Sequence, residues 1–260
     1  MSSNDVLKCS IENRVAVITI DRPPHNILPL TYYRELCNKV ISLVEKKEAL
    51  AVIITGSKKV FISGLDINDI NALKTPQDNV QMTMEIKALF RQVEKLPRPV
   101  IAAIEGNCFG GGLELALSCH MRVASPEARL GLLEITLGTM PSLGGTQRLA
   151  RLVGRPKGLE IMLTGRQVLG DEALSIGLVD AVYPSSDLLE NAKAFGYQIA
   201  EKNWQAIEGI MRATTEGLEM GFDEGCVLES RYSSELTGTY NMKEGMAAFF
   251  ERRKPVYKGE

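Results

Sequence analysis

The feature that most constrains the fold of this chain is a repeated order of strand, glycine turn and helix. Between residues 30 and 47, apolar side chains recur at spacings of three and four, which predicts an amphipathic helix. A buried strand at 51–55 follows and ends at Gly56. The order repeats with a strand at 99–104, glycines, and a helix that begins near Gly111. This order favours an α/β core of mostly parallel strands joined by right-handed crossovers.

The remaining strand signals fit the same core. Alternating residues at 6–10 and 15–20, separated by Glu12 and Asn13, predict a hairpin. A helix is predicted at about 78–95, and the strands at 121–124 and 178–182 complete the set. They are the last strands that the sequence predicts.

The C-terminal part is predicted to be entirely helical, with helices at 188–202, 205–218, 222–236 and 243–252. Because this region has no sheet of its own, it must pack on the core or on neighbouring subunits. We divide the chain into an α/β core over residues 1–197 and a helical region over residues 198–260.

Composition sets the broad class of protein. The chain has 260 residues, of which 45% are hydrophobic, so it can bury a large core. With 30 basic and 32 acidic residues, the net charge is −2. No overall field attracts nucleic acid or an anionic membrane, so the substrate must be recognised locally.

Cysteine usage and the N-terminus favour a cytoplasmic protein. The five cysteines are odd in number and widely spaced, with no Cys-x-x-Cys pair, which argues against a disulfide framework or a zinc clip. The first residues lack the basic and apolar stretches of a signal peptide. The apolar runs are also far shorter than the roughly 20 residues that span a bilayer.

Two glutamates in unlike surroundings are the strongest indication of chemistry. Glu114 follows the glycines at 110–112, and Glu134 lies in the otherwise apolar segment 132–136. A helix N-terminus near Glu114 favours its ionised form, whereas apolar neighbours favour a protonated Glu134. The pair is typical of a general base and a general acid.

The glycine run also offers backbone hydrogen-bond donors. At a helix start the amide of Gly111 has no helical partner, and glycines let a ligand approach it closely. An oxygen atom that gains negative charge can accept a hydrogen bond from this amide. The turn at 61–66 also follows a strand and precedes a helix, so it is the best candidate for a second donor.

Other catalytic classes are poorly supported. His25 and His120 are the only histidines, which excludes a histidine-rich metal site, and we predict no metal. His120 is interpreted as a packing or capping residue. The chain contains no Gly-x-Ser-x-Gly nucleophile motif, dinucleotide fingerprint or phosphate-binding loop.

Several ordered motifs closely resemble the enoyl-CoA hydratase/isomerase, or crotonase, family. They are the segments 61–67, 106–116 and 137–149, and the likeness continues through 163–166, 173–180 and 244–255. The resemblance implies a spiral of repeated ββα units in the core and C-terminal helices that build a trimer or a dimer of trimers. It also implies an acyl-CoA thioester substrate and no separate cofactor, because coenzyme A is part of the substrate.

The resemblance assigns roles to individual residues. The backbone amides of Leu65 and Gly111 would form an oxyanion hole for the thioester oxygen. Residues implied to border the substrate and its coenzyme A are Leu65, Asp66, Ile67, Asn68 and Gly111. Glu114 and Glu134 fall on the two catalytic glutamates of family members that hydrate a double bond.

Retention of both glutamates favours enoyl-CoA hydration, with Glu114 as the base and Glu134 as the acid. A double-bond isomerase needs only one carboxylate and is the alternative within the family. A non-catalytic relative that binds RNA is disfavoured by the near-neutral charge, and no nucleic-acid or membrane partner is expected.

Four residues depart from the family pattern and leave the acyl specificity open. Leu65 replaces a small residue, Leu133 a proline and Ser142 a glycine, and His25 is unusual in its turn.

Overall fold

A six-stranded sheet forms the centre of the protein. The computed structural model describes residues 6–57 and 59–259; residues 1–5, on which the signal-peptide expectation depends, lie outside this part. The strands, in chain order, are β1 (Leu7–Glu12), β2 (Val15–Ile20), β3 (Ile27–Leu28), β4 (Ala51–Gly56), β5 (Val60–Ile62), β6 (Gly64–Leu65), β7 (Val100–Ile104), β8 (Asn107–Phe109), β9 (Met121–Ala124), β10 (Arg129–Gly131), β11 (Val168–Leu169) and β12 (Ala181–Val182).

Helices connect and cover the strands. They are α1 (Leu30–Glu45), α2 (Ile67–Asn71), α3 (Pro76–Glu94), α4 (Gly111–Ser118), a 3-10 helix (Glu134–Leu137), α5 (Gly145–Leu152), α6 (Arg155–Thr164), α7 (Gly170–Ser175), α8 (Leu188–Ala200), α9 (Trp204–Gly217), α10 (Phe222–Glu235) and α11 (Tyr240–Phe250). None of the helices in the described part is long and apolar enough to cross a membrane.

The central sheet confirms the predicted α/β core. Its strand order is β1-β2-β4-β7-β9-β12, and only the β1–β2 hairpin is antiparallel. Val17 lies opposite Ile53, which in turn lies opposite Ile101. The long runs of apolar residues in these strands reflect burial on both faces of a parallel sheet.

Alternate residues of the sheet pack into separate hydrophobic clusters. Ile18 and Ile54 belong to the large cluster beneath α1 and α3, whereas Val17 and Ile53 face α8. At Gly196 a Cβ atom would lie 3.0 Å from the Val15 side chain, so this glycine lets α8 approach the sheet closely.

Short strands outside the central sheet create the site. The strands β5, β8, β10 and β11 form a second sheet in the order β11-β10-β8-β5, and β3 pairs with β6. Three pairs of consecutive strands, β4–β5, β7–β8 and β9–β10, follow the same pattern. The first strand of each pair belongs to the central sheet, the second belongs to the second sheet, and a helix follows. These repeated ββα units place successive turns along one edge, where the candidate site lies.

The four predicted C-terminal helices are present as α8 to α11, with ends that differ from the prediction by a few residues. The first of them, α8, packs on β2, β4, β7 and β9. Residue 197 lies within α8, and the division of the chain at this residue stays a prediction.

Candidate active site

A cavity of about 950 Å³ brings together the four residues that the sequence predicts to carry the reaction. Leu65, Gly111, Glu114 and Glu134 all line it. Its walls come from β6 and the start of α2, from α3, from the start of α4, and from the segment that runs from the 3-10 helix to α5.

Gly111 is the first residue of α4, so its N–H is not used within the helix. The preceding Gly110 has a φ of 52° and donates its own N–H to Gly131 O, which fixes the entry to the helix. At Gly112 a Cβ atom would lie 2.5 Å from Ile62 O. The absence of that Cβ lets α4 pack against β5 and keeps the Gly111 amide beside the cavity.

The amide of Leu65 lies on the free edge of β6. Leu65 pairs with Leu28 of β3, and the next amide, that of Asp66, donates to Leu28 O at 3.0 Å. Because successive amides of a strand point to opposite edges, the Leu65 N–H points away from β3. Convergence of the Leu65 and Gly111 amides on one carbonyl oxygen stays a prediction.

The segment implied to border coenzyme A lies only partly in the cavity. Leu65, Asp66 and Ile67 line the cavity, as does Gly111, but Asn68 does not. Asp66 instead caps α2 by accepting hydrogen bonds from the backbone N and Nδ2 of Asn68, at 3.0 and 2.9 Å. Asn68 therefore stabilises the turn that carries the Leu65 amide.

Glu114 is held in a fixed orientation by backbone donors. Its side chain is buried, and Oε1 accepts hydrogen bonds from Leu143 N at 2.7 Å and from Gly145 N at 2.8 Å. Oε2 forms no hydrogen bond with any residue in the described part. Since Glu114 lines the cavity, Oε2 is available to a ligand or water.

The pKa of Glu114 is raised to about 7, mainly by burial and then by the charge of Glu134. The Gly145 and Leu143 amides and the nearby Arg148 oppose this increase. The expectation that a helix N-terminus keeps Glu114 ionised was therefore wrong in its direction, because burial outweighs the helix dipole here. A carboxyl with a pKa near 7 is suited to proton transfer at neutral pH.

Glu134 begins the 3-10 helix and faces the same cavity. Its Oε2 atom is buried without a hydrogen-bond partner among the described residues, and Oε1 lies 3.2 Å from the position that a Cβ on Gly110 would occupy. Burial raises the pKa of Glu134, the direction expected from its apolar neighbours. A larger residue at Gly110 would therefore push Glu134 aside.

Sequence reasoning missed the loop that holds Glu114. Gly144 has a φ of 112°, which turns the chain so that the Leu143 and Gly145 amides both reach Oε1. Arg148 supports the loop through a hydrogen bond to Leu143 O and an ion pair with Glu94 at 2.5 Å. The adjacent glycines at 144–145 were the only sequence signal for this role.

The residues that depart from the family pattern are divided between the cavity and the surface. Leu65, Leu133 and Ser142 all line the cavity, so each affects the space open to a substrate. His25 is exposed and lies outside the cavity lining.

His120 is a packing residue, as predicted. Its Nδ1 accepts a hydrogen bond from Val100 N at 3.0 Å, and Nε2 lies 3.1 Å from Glu94 O. Burial lowers the pKa of His120 to about 4. Within the described ranges, no three His, Cys, Asp or Glu side chains are grouped to hold a metal ion.

Glu114→Gln should stabilise the folded protein at about pH 8, and much less at about pH 4. The pKa of Glu114 in the folded protein is near 7, above the ordinary value of 4.5. The contribution of the protonated side chain to stability is therefore complete below pH 4.5. This contribution is lost as the pH rises through 7. The gain at pH 8 should be on the order of 3 kcal/mol, since one unit of pKa difference corresponds to about 1.4 kcal/mol. Urea unfolding at both pH values measures it.

The exposed Glu35 provides the matched control for this measurement, because Glu35→Gln removes the same charge outside the cavity. A stability difference between wild type and Glu114→Gln that is the same at both pH values would contradict the prediction.

Comparisons with known proteins show the family of this chain. The family model described as enoyl-CoA hydratase/isomerase matches residues 10–260. A probable enoyl-CoA hydratase of Bacillus subtilis is 35% identical over 98% of this chain and all of its own length. A short-chain-enoyl-CoA hydratase of Clostridium acetobutylicum is 38% identical over 94% of each chain.

A solved structure confirms the fold class. The crystal structure of an enoyl-CoA hydratase from Bacillus anthracis matches with a TM-score of 0.92 and 34% identity, and it covers 98% of this chain and 100% of its own. The predicted crotonase-like α/β fold with C-terminal helices is thus confirmed. The chain belongs to the enoyl-CoA hydratase/isomerase family, whose enzymes act on acyl-CoA thioesters.

Proposed function

We propose that this enzyme is an enoyl-CoA hydratase. It would add water in syn fashion across the 2,3 double bond of a 2-enoyl-CoA to give a 3-hydroxyacyl-CoA, or catalyse the reverse dehydration. The observation that carries the proposal is that the buried Glu114 and the partly buried Glu134 line one cavity together with Gly111.

In the proposed reaction, the two glutamates hold one water beside the double bond. Glu114 Oε2 takes a proton from this water as its oxygen bonds to C3, and the Glu134 carboxyl delivers a proton to C2. The negative charge that develops on the thioester oxygen is stabilised by the Leu65 and Gly111 amides. The product gains one hydrogen and one hydroxyl group, and a proton must then return from Glu114 to Glu134.

The electrostatics support these roles. The charge of Glu134 raises the pKa of Glu114, because two carboxylates in one low-dielectric cavity repel each other. A pair that shares one proton is therefore favoured. The two amides bound to Oε1 stabilise a charged Glu114, whereas Glu134 Oε2 has no such donor among the described residues. On the ground of these hydrogen bonds Glu114 is assigned as the base and Glu134 as the acid, although burial and the charge of Glu134 raise the pKa of Glu114 to about 7.

A double-bond isomerase is the second candidate function. It would need one carboxylate to move a proton between C2 and C4, and the second buried carboxyl would then have no role. A non-catalytic RNA-binding relative is less well supported, because two acids line the cavity and the net charge of the chain is −2.

No separate cofactor is proposed, because every atom added to the substrate comes from water. Coenzyme A would enter as part of the thioester, with Leu65, Asp66 and Ile67 along its path.

We further propose that the protein is a homo-oligomer, a trimer or a dimer of trimers. The C-terminal helices leave large apolar side chains exposed, among them Leu218 (84%), Phe222 (85%), Phe249 (78%) and Phe250 (82%). Exposed apolar side chains grouped in this way are typical of surfaces that pack against another subunit.

A product assay tests the proposed reaction. The enzyme is mixed with crotonyl-CoA, a neutral 2-enoyl-CoA, and with a 3-enoyl-CoA, and the products are followed by mass spectrometry and by the absorbance of the conjugated thioester. Hydration adds the mass of water and removes the absorbance. Conversion of the 3-enoyl-CoA to the conjugated isomer without added water would instead establish the isomerase, and absence of turnover across short, long, branched, cyclic and dicarboxylic acyl chains would refute both.

A further inference from the structure

Lys87 is a positively charged side chain on the cavity wall that the proposed reaction does not use. It is partly buried on α3, and it forms no ion pair or hydrogen bond with any residue in the described part of the chain. An unpaired cation on the wall of a ligand cavity can form a charge-assisted hydrogen bond with an anionic group of the ligand. Its position on the wall of a ligand cavity indicates that the partner is a ligand.

The acids on the same helix are already occupied. Glu85 accepts a two-point hydrogen bond from Arg34, at 2.5 and 2.9 Å. Glu94 pairs with Arg148, and Asp78 accepts hydrogen bonds from the backbone at the start of α3. None of these carboxylates is free to neutralise Lys87, so the positive charge remains on the cavity side of the helix.

Contacts within the core place the middle of α3 near Gly111. One turn further along α3, Phe90 packs against Tyr33 with ring centroids 6.1 Å apart. The Tyr33 hydroxyl lies 2.9 Å from the position that a Cβ on Gly111 would occupy. This part of α3 is therefore close to Gly111. Leu65 and Ile67 line a different wall of the cavity, which β6 and α2 form.

Polar side chains line the cavity together with Lys87. Thr83, one helical turn earlier, is buried and lines the cavity, and side chains on a helix lean towards its N-terminus, so Lys87 extends over Thr83. Thr146 and Gln147 also line the cavity. Gln147 Nε2 donates one hydrogen bond to Thr146, which leaves its second N–H for a ligand.

We infer that the preferred substrate carries a carboxylate at the far end of its acyl chain and that Lys87 binds this group. The inference rests on the proposed function, which places the thioester oxygen at Gly111 and coenzyme A beside Leu65 to Ile67. From that point the acyl chain extends towards α3. Lys87 is then a specificity-determining residue, and the substrate class is a short dicarboxylic 2-enoyl thioester.

Binding of saturated thioesters tests this inference without requiring turnover. Glutaryl-CoA and pentanoyl-CoA have acyl chains of equal length and differ in a terminal carboxylate. Their dissociation constants are measured by isothermal titration calorimetry for wild type, Lys87→Met and the control Lys95→Met. Lys95 is exposed just beyond the end of α3, so its replacement removes the same charge outside the cavity.

Lys87→Met should weaken glutaryl-CoA relative to pentanoyl-CoA by about 10- to 100-fold, as expected for the loss of a hydrogen bond between charged groups. Lys95→Met should leave the ratio unchanged. If Lys87→Met left both affinities unchanged, or weakened both thioesters equally, the inference would be overturned. An equal loss for both thioesters would assign Lys87 to the coenzyme A phosphates.

Wild-type protein provides a second test of the inference, and this test does not depend on the folding of a variant. Glutaryl-CoA should bind more tightly than its terminal amide, which has the same shape without the charge, and the difference should shrink as salt is added. Equal binding of acid and amide would refute the inference. A charge preference without hydration of any enoyl-CoA would support Lys87 as a carboxylate site while refuting the hydratase reaction, so the two failures are distinguishable.

Discussion

Glu114→Gln should lower kcat for enoyl-CoA hydration by about 100- to 10,000-fold, the range typical of a lost general acid or base. The amide keeps the shape of the side chain, and its oxygen can still accept hydrogen bonds from the Leu143 and Gly145 amides. It cannot take a proton from water at neutral pH. The loss should therefore fall on kcat, while binding of the saturated butyryl-CoA stays close to that of wild type.

Glu134→Gln should show a loss of similar size, because protonation of C2 needs a carboxyl that can release its proton. The rates are measured from the absorbance of crotonyl-CoA, with the exposed Glu35→Gln as the charge-matched control. If either active-site variant kept the wild-type rate, the role proposed for that glutamate would be excluded. Full isomerase activity in one variant, with hydration abolished, would favour the isomerase as the main function.

The central sheet could be predicted from the sequence because its strands are long enough to show a pattern. The segments around Val17 and Ile53 are continuous apolar runs, and α1 shows a clear helical period. The strands β6 and β8 have only two and three residues, too few to show any period. They pair because the longer strands place them side by side, so they depend on tertiary structure.

The candidate site could likewise be predicted from the sequence only in part. The glycines at 110–112 predicted the start of α4 and drew attention to Glu114, since glycine has a specific use at such a turn. The donors to Glu114, at Leu143 and Gly145, lie 29 and 31 residues further along the chain. Backbone donors carry no side-chain signature. Burial of Glu114 also depends on the whole fold, which explains why its pKa was predicted in the wrong direction.

Removal of the Gly111 N–H should reduce kcat by about 100- to 1,000-fold, the usual effect of losing one oxyanion-hole donor. Proline lacks this N–H and is well tolerated as the first residue of a helix, where Gly111 lies. Gly110, with φ 52° and ψ −124°, is outside the α region that a following proline disfavours. Gly111→Pro therefore removes the donor with little demand on the helix.

The comparison must separate the N–H from the added carbon atoms. A Cβ at residue 111 would lie 2.9 Å from the Tyr33 hydroxyl, so both variants are made in a Tyr33→Phe background that removes this contact. Gly111→Ala then adds a Cβ and keeps the N–H, whereas Gly111→Pro removes it. Hydration rates and urea unfolding are measured for both. If proline and alanine variants of equal stability had equal kcat, the Gly111 amide would not stabilise the transition state, because proline puts a ring carbon where the N–H would face the thioester oxygen.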